Sequence, residues 1–183
     1  MARAGLTDVI GEIRTMMPQQ DNDLSAATYW NNDEIQAVLD NNRVDMVREP
    51  VTKIQEYSSG TVIYKKHKTR PFLETGANFD LQTSAGSSVG TALYSVDWRR
   101  GMITFADDTG GSSYYVSAYS YDMHAAASEI WRKKAAYYAT AIDFRTDNTS
   151  MSRSQLMQQA LQMADHYDNK TALQVSTMQR EDM

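Results

Sequence analysis

Eleven of the 18 aromatic residues in this 183-residue chain fall between positions 51 and 121. That stretch is also rich in Ser, Thr, Val and Gly, whereas both flanks carry Ala, Met and Gln among apolar residues at helical spacing. Aromatic and β-branched residues suit a pleated, half-buried surface, and period-two alternation cannot be laid on the 3.6-residue repeat of an amphipathic helix. The order helices, sheet, helices is therefore expected, which is an α+β fold.

In the first flank, Leu6, Val9, Ile10, Ile13 and Met17 share one helical face, and Pro18 stops that helix before a polar loop over 19–25. A second helix is expected from Asn31. Glu34, three residues on, can return a hydrogen bond to the cap, and Trp30 can staple the entry. Ile35, Val38 and Leu39 supply its buried side, and Asn41-Asn42 ends it.

The middle segment predicts a hairpin, with strands around Val51–Glu56 and Thr61–Tyr64 joined by Ser58-Ser59-Gly60. Further strands are expected at 72–74, 79–82, 91–96, 101–105 and 114–121, with turns at 84–90, 99–101 and 107–113. Short strands at this spacing suggest a small antiparallel sandwich or barrel. Asp122 can cap a long helix carrying Ala127, Ile130, Trp131, Lys134, Ala135, Tyr138 and Ile142. A polar break over 144–150 leads to a last helix with Leu156, Ala160, Met163 and Tyr167 on one face. The expected division is a helical core from 1–50 and 122–170, an inserted β-rich lobe at 51–121, and a flexible C-terminal tail at 171–183.

A chain of this length forms one domain and buries roughly 70% of its unfolded surface without staples. Cysteine is absent, which excludes disulfides, thiolate metal sites and cysteine nucleophiles. No apolar run approaches membrane length and the first eight residues carry no apolar signal core, so a soluble protein made in the cytoplasm is expected, without membrane association. Net charge is −5, placed as −5 over 1–50, +1 over 51–121 and −1 over 122–183. No basic stripe dominates, which disfavours sequence-independent binding to nucleic acid.

Catalytic constellations are missing from the pattern. Gly86-Ser87-Ser88-Val89-Gly90 carries the letters of a Gly-x-Ser-x-Gly elbow without a following helix, and no Gly-Lys-[Ser/Thr] phosphate loop occurs. The flexible stretch Ser84–Gly90 lacks the lysine and following helix of an anion cradle and reads as a hairpin loop. Asp107-Asp108-Thr109-Gly110-Gly111 has adjacent carboxylates but not the alternating ligands of a calcium loop, and reads as a solvated turn. His67, His124 and His166 are far apart in sequence, and Asp143 with Asp147 has no supporting acid or base. No catalytic, cofactor-binding or metal-binding residue is assigned, and no cofactor is expected. Lys65, Lys66, Lys68 and Arg70 form the one basic cluster, suited to phosphate, to an acidic partner surface, or to protecting a strand edge from aggregation.

Two stretches carry a resemblance. Tyr29-Trp30-Asn31-Asn32-Asp33-Glu34-Ile35-Gln36-Ala37-Val38-Leu39-Asp40 follows the helix over Leu6–Met17. Ala125-Ala126-Ala127-Ser128-Glu129-Ile130-Trp131 and Asp143-Phe144-Arg145-Thr146-Asp147-Asn148 lie in the last part. With their order, these flanks resemble the head–tail connector, or adaptor, proteins of tailed bacteriophages; the β-rich insertion departs from the smallest, all-helical members. The resemblance implies a non-enzymatic structural protein of the virion neck. It would form a homo-oligomeric ring, usually of twelve copies, between the portal protein and a downstream neck or tail protein. DNA would pass through its channel without sequence-specific binding.

The resemblance further implies that the tail reaches the portal, through Leu173, Val175 and Met178 as apolar anchors and Arg180 as a charged contact. The basic loop would face a partner, and Ala125, Ala126, Tyr137 and Tyr138 would pack between subunits in a head-to-tail contact that closes into a ring. The alternative reading is a glycan- or ligand-binding β-module, with Tyr114, Tyr115, Tyr119 and Tyr121 available for stacking. Alternation puts Tyr115, Tyr119 and Tyr121 on one face and Tyr114 on the other, which favours core filling for much of that set.

Overall fold

A computed structural model describes residues 2–17, 30–76, 78–139, 144–146, 149–151 and 153–171. It combines four α-helices with antiparallel sheets, an α+β fold. Helix α1 (Thr7–Thr15) follows a 3-10 turn, and all five apolar residues of its expected face, from Leu6 to Met17, are buried. Asp8 in its first turn and Arg14 in its last both complement the helix dipole.

Helix α2 (Asn32–Asn41) starts where the cap pattern requires. Asn31 Oδ1 accepts from the Asp33 and Glu34 amides at 2.9 Å each, and Glu34 Oε2 accepts from the Asn31 amide at 2.9 Å. A cap of this kind contributes about 1 kcal/mol.

The sheet begins earlier than position 51. Strand β1 (Arg43–Pro50) occupies a stretch assigned from sequence to the helical core, so the helical part ends at Asn42. Only Met46 of β1 is buried, because the strand lies at a sheet edge and needs just one apolar residue facing inward. A register shift between Met46 and Glu49, with Arg48 at φ 51°, further hides the alternation.

Strands β2 (Thr52–Ser58) and β3 (Thr61–Lys68) form the expected hairpin. Its tight turn places Ser59 at φ 50° and Gly60 at φ 81°, the left-handed pair whose twist matches the strands. Strands β4 (Asp80–Thr83), β5 (Tyr94–Asp97), β6 (Met102–Phe105) and β7 (Tyr114–Tyr121) follow. Two expected strands are reduced. Thr91–Leu93 is a 3-10 turn, and 72–74 makes a single bridge, Leu73 to Ser120.

The strands form a three-stranded sheet, β1-β7-β4, and a four-stranded sheet, β2-β3-β6-β5. Met46, Leu81, Val116 and Ala118 from the first share one core with Ile103 and Phe105 from the second. Strand β7 has two inner faces. Tyr114, Val116 and Ala118 belong to the lobe core, whereas Tyr119 and Tyr121 pack with Leu6, Ile13, Ile35, Leu39 and Ile130 in the helical core. The chain leaves the helical part at Asn42 and returns at Asp122, whose amide donates to the Asn42 carbonyl at 3.0 Å.

Helix α3 (Met123–Ala139) is capped by Asp122, whose Oδ1 accepts from the His124 and Ala125 amides at 3.0 Å each. It lies along α4 (Arg153–Asp168), where buried Ala160 and Ala164 allow close approach. Between them, read from sequence as a polar break, β8 (Phe144–Thr146) pairs with β9 (Thr149–Met151). Ile142, Asp143 and Asp147 lie outside the described residues, as does the loop over 19–25.

Candidate interaction surfaces

The distal half of the β2–β3 hairpin is an arm. Strand β6 pairs with β3 only at Lys66, His67 and Lys68, so from Gln55 to Tyr64 the ribbon has no third strand. Near its tip Tyr57 and Val62 are cross-strand partners, and they are 76% and 37% exposed. Two apolar side chains thus stand exposed on a ribbon that has no third strand among the described residues.

The expected basic cluster does not form one patch. Lys65 Nζ donates to the Ala106 carbonyl at 2.8 Å, Lys66 pairs with Glu56 at 2.6 Å, and Arg70 pairs with Glu49 at 3.0 Å. Strand alternation and these local acceptors divide the charges, and Lys68 and Arg70 are both exposed. Other cations of the lobe lie over aromatic rings: Arg43 over Tyr119 at 4.2 Å, Arg48 over Tyr115 at 5.3 Å and Lys53 over Tyr64 at 5.7 Å.

A second surface lies between α2 and α3. Trp30, Glu34 and Ala37 on one side and Lys133, Lys134, Tyr137 and Tyr138 on the other line a groove of about 410 Å³. Tyr137 and Tyr138 stand 5.7 Å apart, and Tyr137 is 43% exposed. Thus two of the four residues expected at a subunit contact line one concave site. Ala126 does not join them. It is fully buried in the chain's own helical core, because the small-residue face at the start of α3 receives neighbouring elements of the same chain; Ala125 beside it is half-buried. Leu173, Val175, Met178 and Arg180 lie outside the described residues.

The two glycine-bearing loops singled out in the sequence meet across a third depression. Thr83, Ser88, Val89, Gly90 and Leu93 face Phe105, Asp107, Asp108, Thr109 and Tyr114 around about 380 Å³. The Ser84–Gly90 loop closes as a turn, with Gly86 N–H on the Thr83 carbonyl and Thr83 N–H on the Ser87 carbonyl. Asp108 Oδ1 accepts from the Tyr64 and Gly110 amides at 2.8 and 3.1 Å, which hold its carboxyl below the ordinary range. Among the described residues no three His, Asp or Glu side chains converge in a metal-binding arrangement.

One network escaped the sequence reading. Arg3 Nη2 lies 2.6 Å from Asp40 Oδ1 and its Nε 3.0 Å from Glu74 Oε1, while Tyr121 Oη accepts from Arg3 Nη2 at 3.1 Å. Asp40 and Glu74 together hold the guanidinium more firmly protonated, against a smaller cost of burial. Its members lie in the N-terminal segment, on α2, between β3 and β4, and on β7, and no spacing motif links residues so far apart. Comparison with protein-family models, with curated proteins and with solved structures gives no match.

Proposed function

We propose that this chain is a non-enzymatic assembly protein that forms a homo-oligomeric ring in the neck of a tailed bacteriophage, between the portal and the tail. The observation that carries the reading is a pair of dissimilar apolar features, each with an exposed aromatic side chain, at different places among the described residues. The Tyr57–Val62 arm projects, and the Trp30–Tyr137–Tyr138 groove is concave. Dissimilar surfaces of this kind support heterologous, head-to-tail contacts, which close into rings when the rotation allows.

In this reading the elements up to Asn42 and those from 122 to 170 make a helical bundle, and the two facing sheets make an inserted sandwich-like lobe. The tail reaches the portal through Leu173, Val175, Met178 and Arg180, and a twelve-fold ring extends the DNA channel. An acidic chain suits such a wall, because DNA slides past without counterion-releasing contacts. Light-scattering mass measurement with negative-stain imaging, alone and with a portal ring, tests it. Open-centred rings are expected, and a chain that stays monomeric beside its portal overturns the reading.

The depression between the 83–90 and 105–109 segments favours a second reading, a ligand-binding β-module. Phe105 and Tyr114 could floor a sugar ring there, with Asp107, Ser88 and Thr83 as polar partners. Tyr119 and Tyr121 do not serve it, since they pack against the helical core. Oligosaccharide titration that perturbs Tyr114 would favour this module over the ring.

A further inference from the structure

His67 is fully buried in the lobe, on β3, with Lys53 of β2 and Ile103 of β6 as its cross-strand partners. Phe105 and Tyr114 meet its ring edge-on at 5.1 and 5.3 Å. Its Nε2 lies 3.2 Å from Thr109 Oγ1, and that hydroxyl donates its only hydrogen to the Tyr64 carbonyl at 2.6 Å. Oγ1 can therefore only accept from the imidazole, which assigns the proton to Nε2. Nδ1 is left as a bare acceptor, buried and without a partner. A second proton on this ring would have to enter at Nδ1, where nothing accepts it.

Among the described residues the surroundings offer an imidazolium no hydrogen-bonded counter-charge. From β2, the Lys53 ammonium sits on the Gly111 carbonyl at 2.8 Å and adds positive potential. From the 106–113 loop, Asp108 is turned to the Tyr64 and Gly110 amides, and Asp107 is exposed. Strand β6 contributes Ile103 and Phe105, and β7 the phenol of Tyr114. On β3 itself, Lys65 is bound to the Ala106 carbonyl and Lys66 to Glu56, while Lys68 is exposed. Burial pushes the imidazole below its ordinary value of 6.5 against a smaller pull from the Tyr64 carbonyl, and Lys53 adds the smallest effect, in the same direction as burial.

The same bonds hold the root of the arm. Besides the Thr109 hydroxyl, the Thr109 amide donates to the Tyr64 carbonyl at 3.3 Å, and the Tyr64 amide donates to Asp108. Beyond Tyr64 the hairpin has only its own pairing. We propose that His67 is an acid-sensitive latch, whose protonation at Nδ1 releases the 106–113 loop from Tyr64 and frees the root of the β2–β3 arm. The direction follows from linkage. The closed loop binds fewer protons than the open one, so closure is complete above the ordinary histidine range and is lost as pH falls through it. Asp108 cannot be the trigger, because its carboxylate stays ionised until below its ordinary value of 3.8. The latch does not depend on the ring reading.

Amide exchange of the full-length chain, corrected for intrinsic rates, tests it at about pH 7.5 and about pH 5. Protection of the Tyr64 and Thr109 amides is expected to fall at least about tenfold at the lower pH, while the Ile35 and Leu39 amides of α2 hold theirs. In His67→Phe, which keeps an aromatic ring without a titrating nitrogen, that fall is expected to vanish. The same fall in the variant would overturn the latch. Should the variant not fold, nitrogen shifts of the wild-type ring decide. A neutral Nε2–H tautomer, titrating together with the loss of Tyr64 protection, supports the latch. Titration with Tyr64 still protected, or a neutral Nδ1–H form, overturns it.

Discussion

Tyr121 donates its phenolic hydrogen to Glu74 Oε2 across 2.5 Å, and both side chains are buried where β7 enters the helical core. Glu74 also receives Arg3, so the carboxylate joins the lobe to the N-terminal segment. Removing one donor to a buried charge costs more than an ordinary hydrogen bond, and Tyr121→Phe should lose about 1–3 kcal/mol in urea unfolding. Burial, and after it Glu74, push the Tyr121 ionisation above the ordinary value of 10. The folded state therefore holds that proton more tightly, and this stability is lost as pH rises above 10. Alkaline melts should show a steeper decline in wild type than in Tyr121→Phe. Parallel curves would mean that Arg3 alone satisfies Glu74.

Two glycines near the N-terminus should respond in opposite directions. A Cβ on Gly5 would stand 2.1 Å from the Thr75 carbonyl oxygen, whereas one on Gly11 in α1 meets nothing within 4 Å. Gly5 also accepts from the Thr75 amide and hydroxyl at 3.1 Å each, so the backbones cannot separate without breaking both bonds. Gly5→Ala should destabilise by about 1–3 kcal/mol through this forced displacement. Gly11→Ala should stabilise by roughly 0.5–1 kcal/mol, by restricting the unfolded chain and favouring the helix. Thermal midpoints of the two variants moving the same way would refute the close approach at Gly5.

Glu129 predicts an acid limit for the junction of α2 and α3. Its carboxylate accepts from Lys133 at 2.6 Å and from the Asn42 and Asn41 amides at 2.9 and 3.3 Å. Burial acts against the charge, but these three donors outweigh it and lower the group from its ordinary value of 4.5. Stability from this site is thus present above 4.5 and lost as pH falls through the lowered value. Glu129→Gln should be less stable than wild type near neutrality, by under about 1 kcal/mol because the site is partly exposed. The two should converge as pH falls below that lowered value. A constant gap between them across that range would exclude Glu129 as the titrating group.

The parts of this fold that could be read from its residues were those governed by local periodicity. The apolar face from Leu6 to Met17, the Asn31–Glu34 cap and the Ser59-Gly60 turn each rest on residues a few positions apart, and each stands where its chemistry requires. β1 was missed because an edge strand with one buried residue and a bulge carries no alternation. The subunit-contact set was read partly wrongly for a related reason. A small-residue face says that another backbone comes close, but not whose, and Ala126 turned out to serve the chain's own core. Arg3, Glu74 and Tyr121 converge only through tertiary contact, so no spacing in the chain announces them.

If the arm and the groove make contacts between copies, assembly and folding should separate on mutation. Tyr57 is 76% exposed and lies beyond the last three-stranded pairing, so Tyr57→Ser removes little that the isolated chain uses. Its thermal midpoint should match wild type to within about 0.5 kcal/mol of stability. In an assembly, the same side chain would sit in a desolvated contact, where losing an aromatic anchor costs about 2 kcal/mol or more. That loss recurs at every interface of a closed ring, so a modest change per contact should abolish rings at concentrations where wild type forms them. Tyr137→Ser should weaken assembly alike from the groove side, since Tyr137 is 43% exposed there. Sedimentation profiles of both variants, read beside their melts, check the pair. Rings that persist in both would place the subunit contact elsewhere, and a lowered melt in the Tyr57 variant would make the arm part of the chain's own packing.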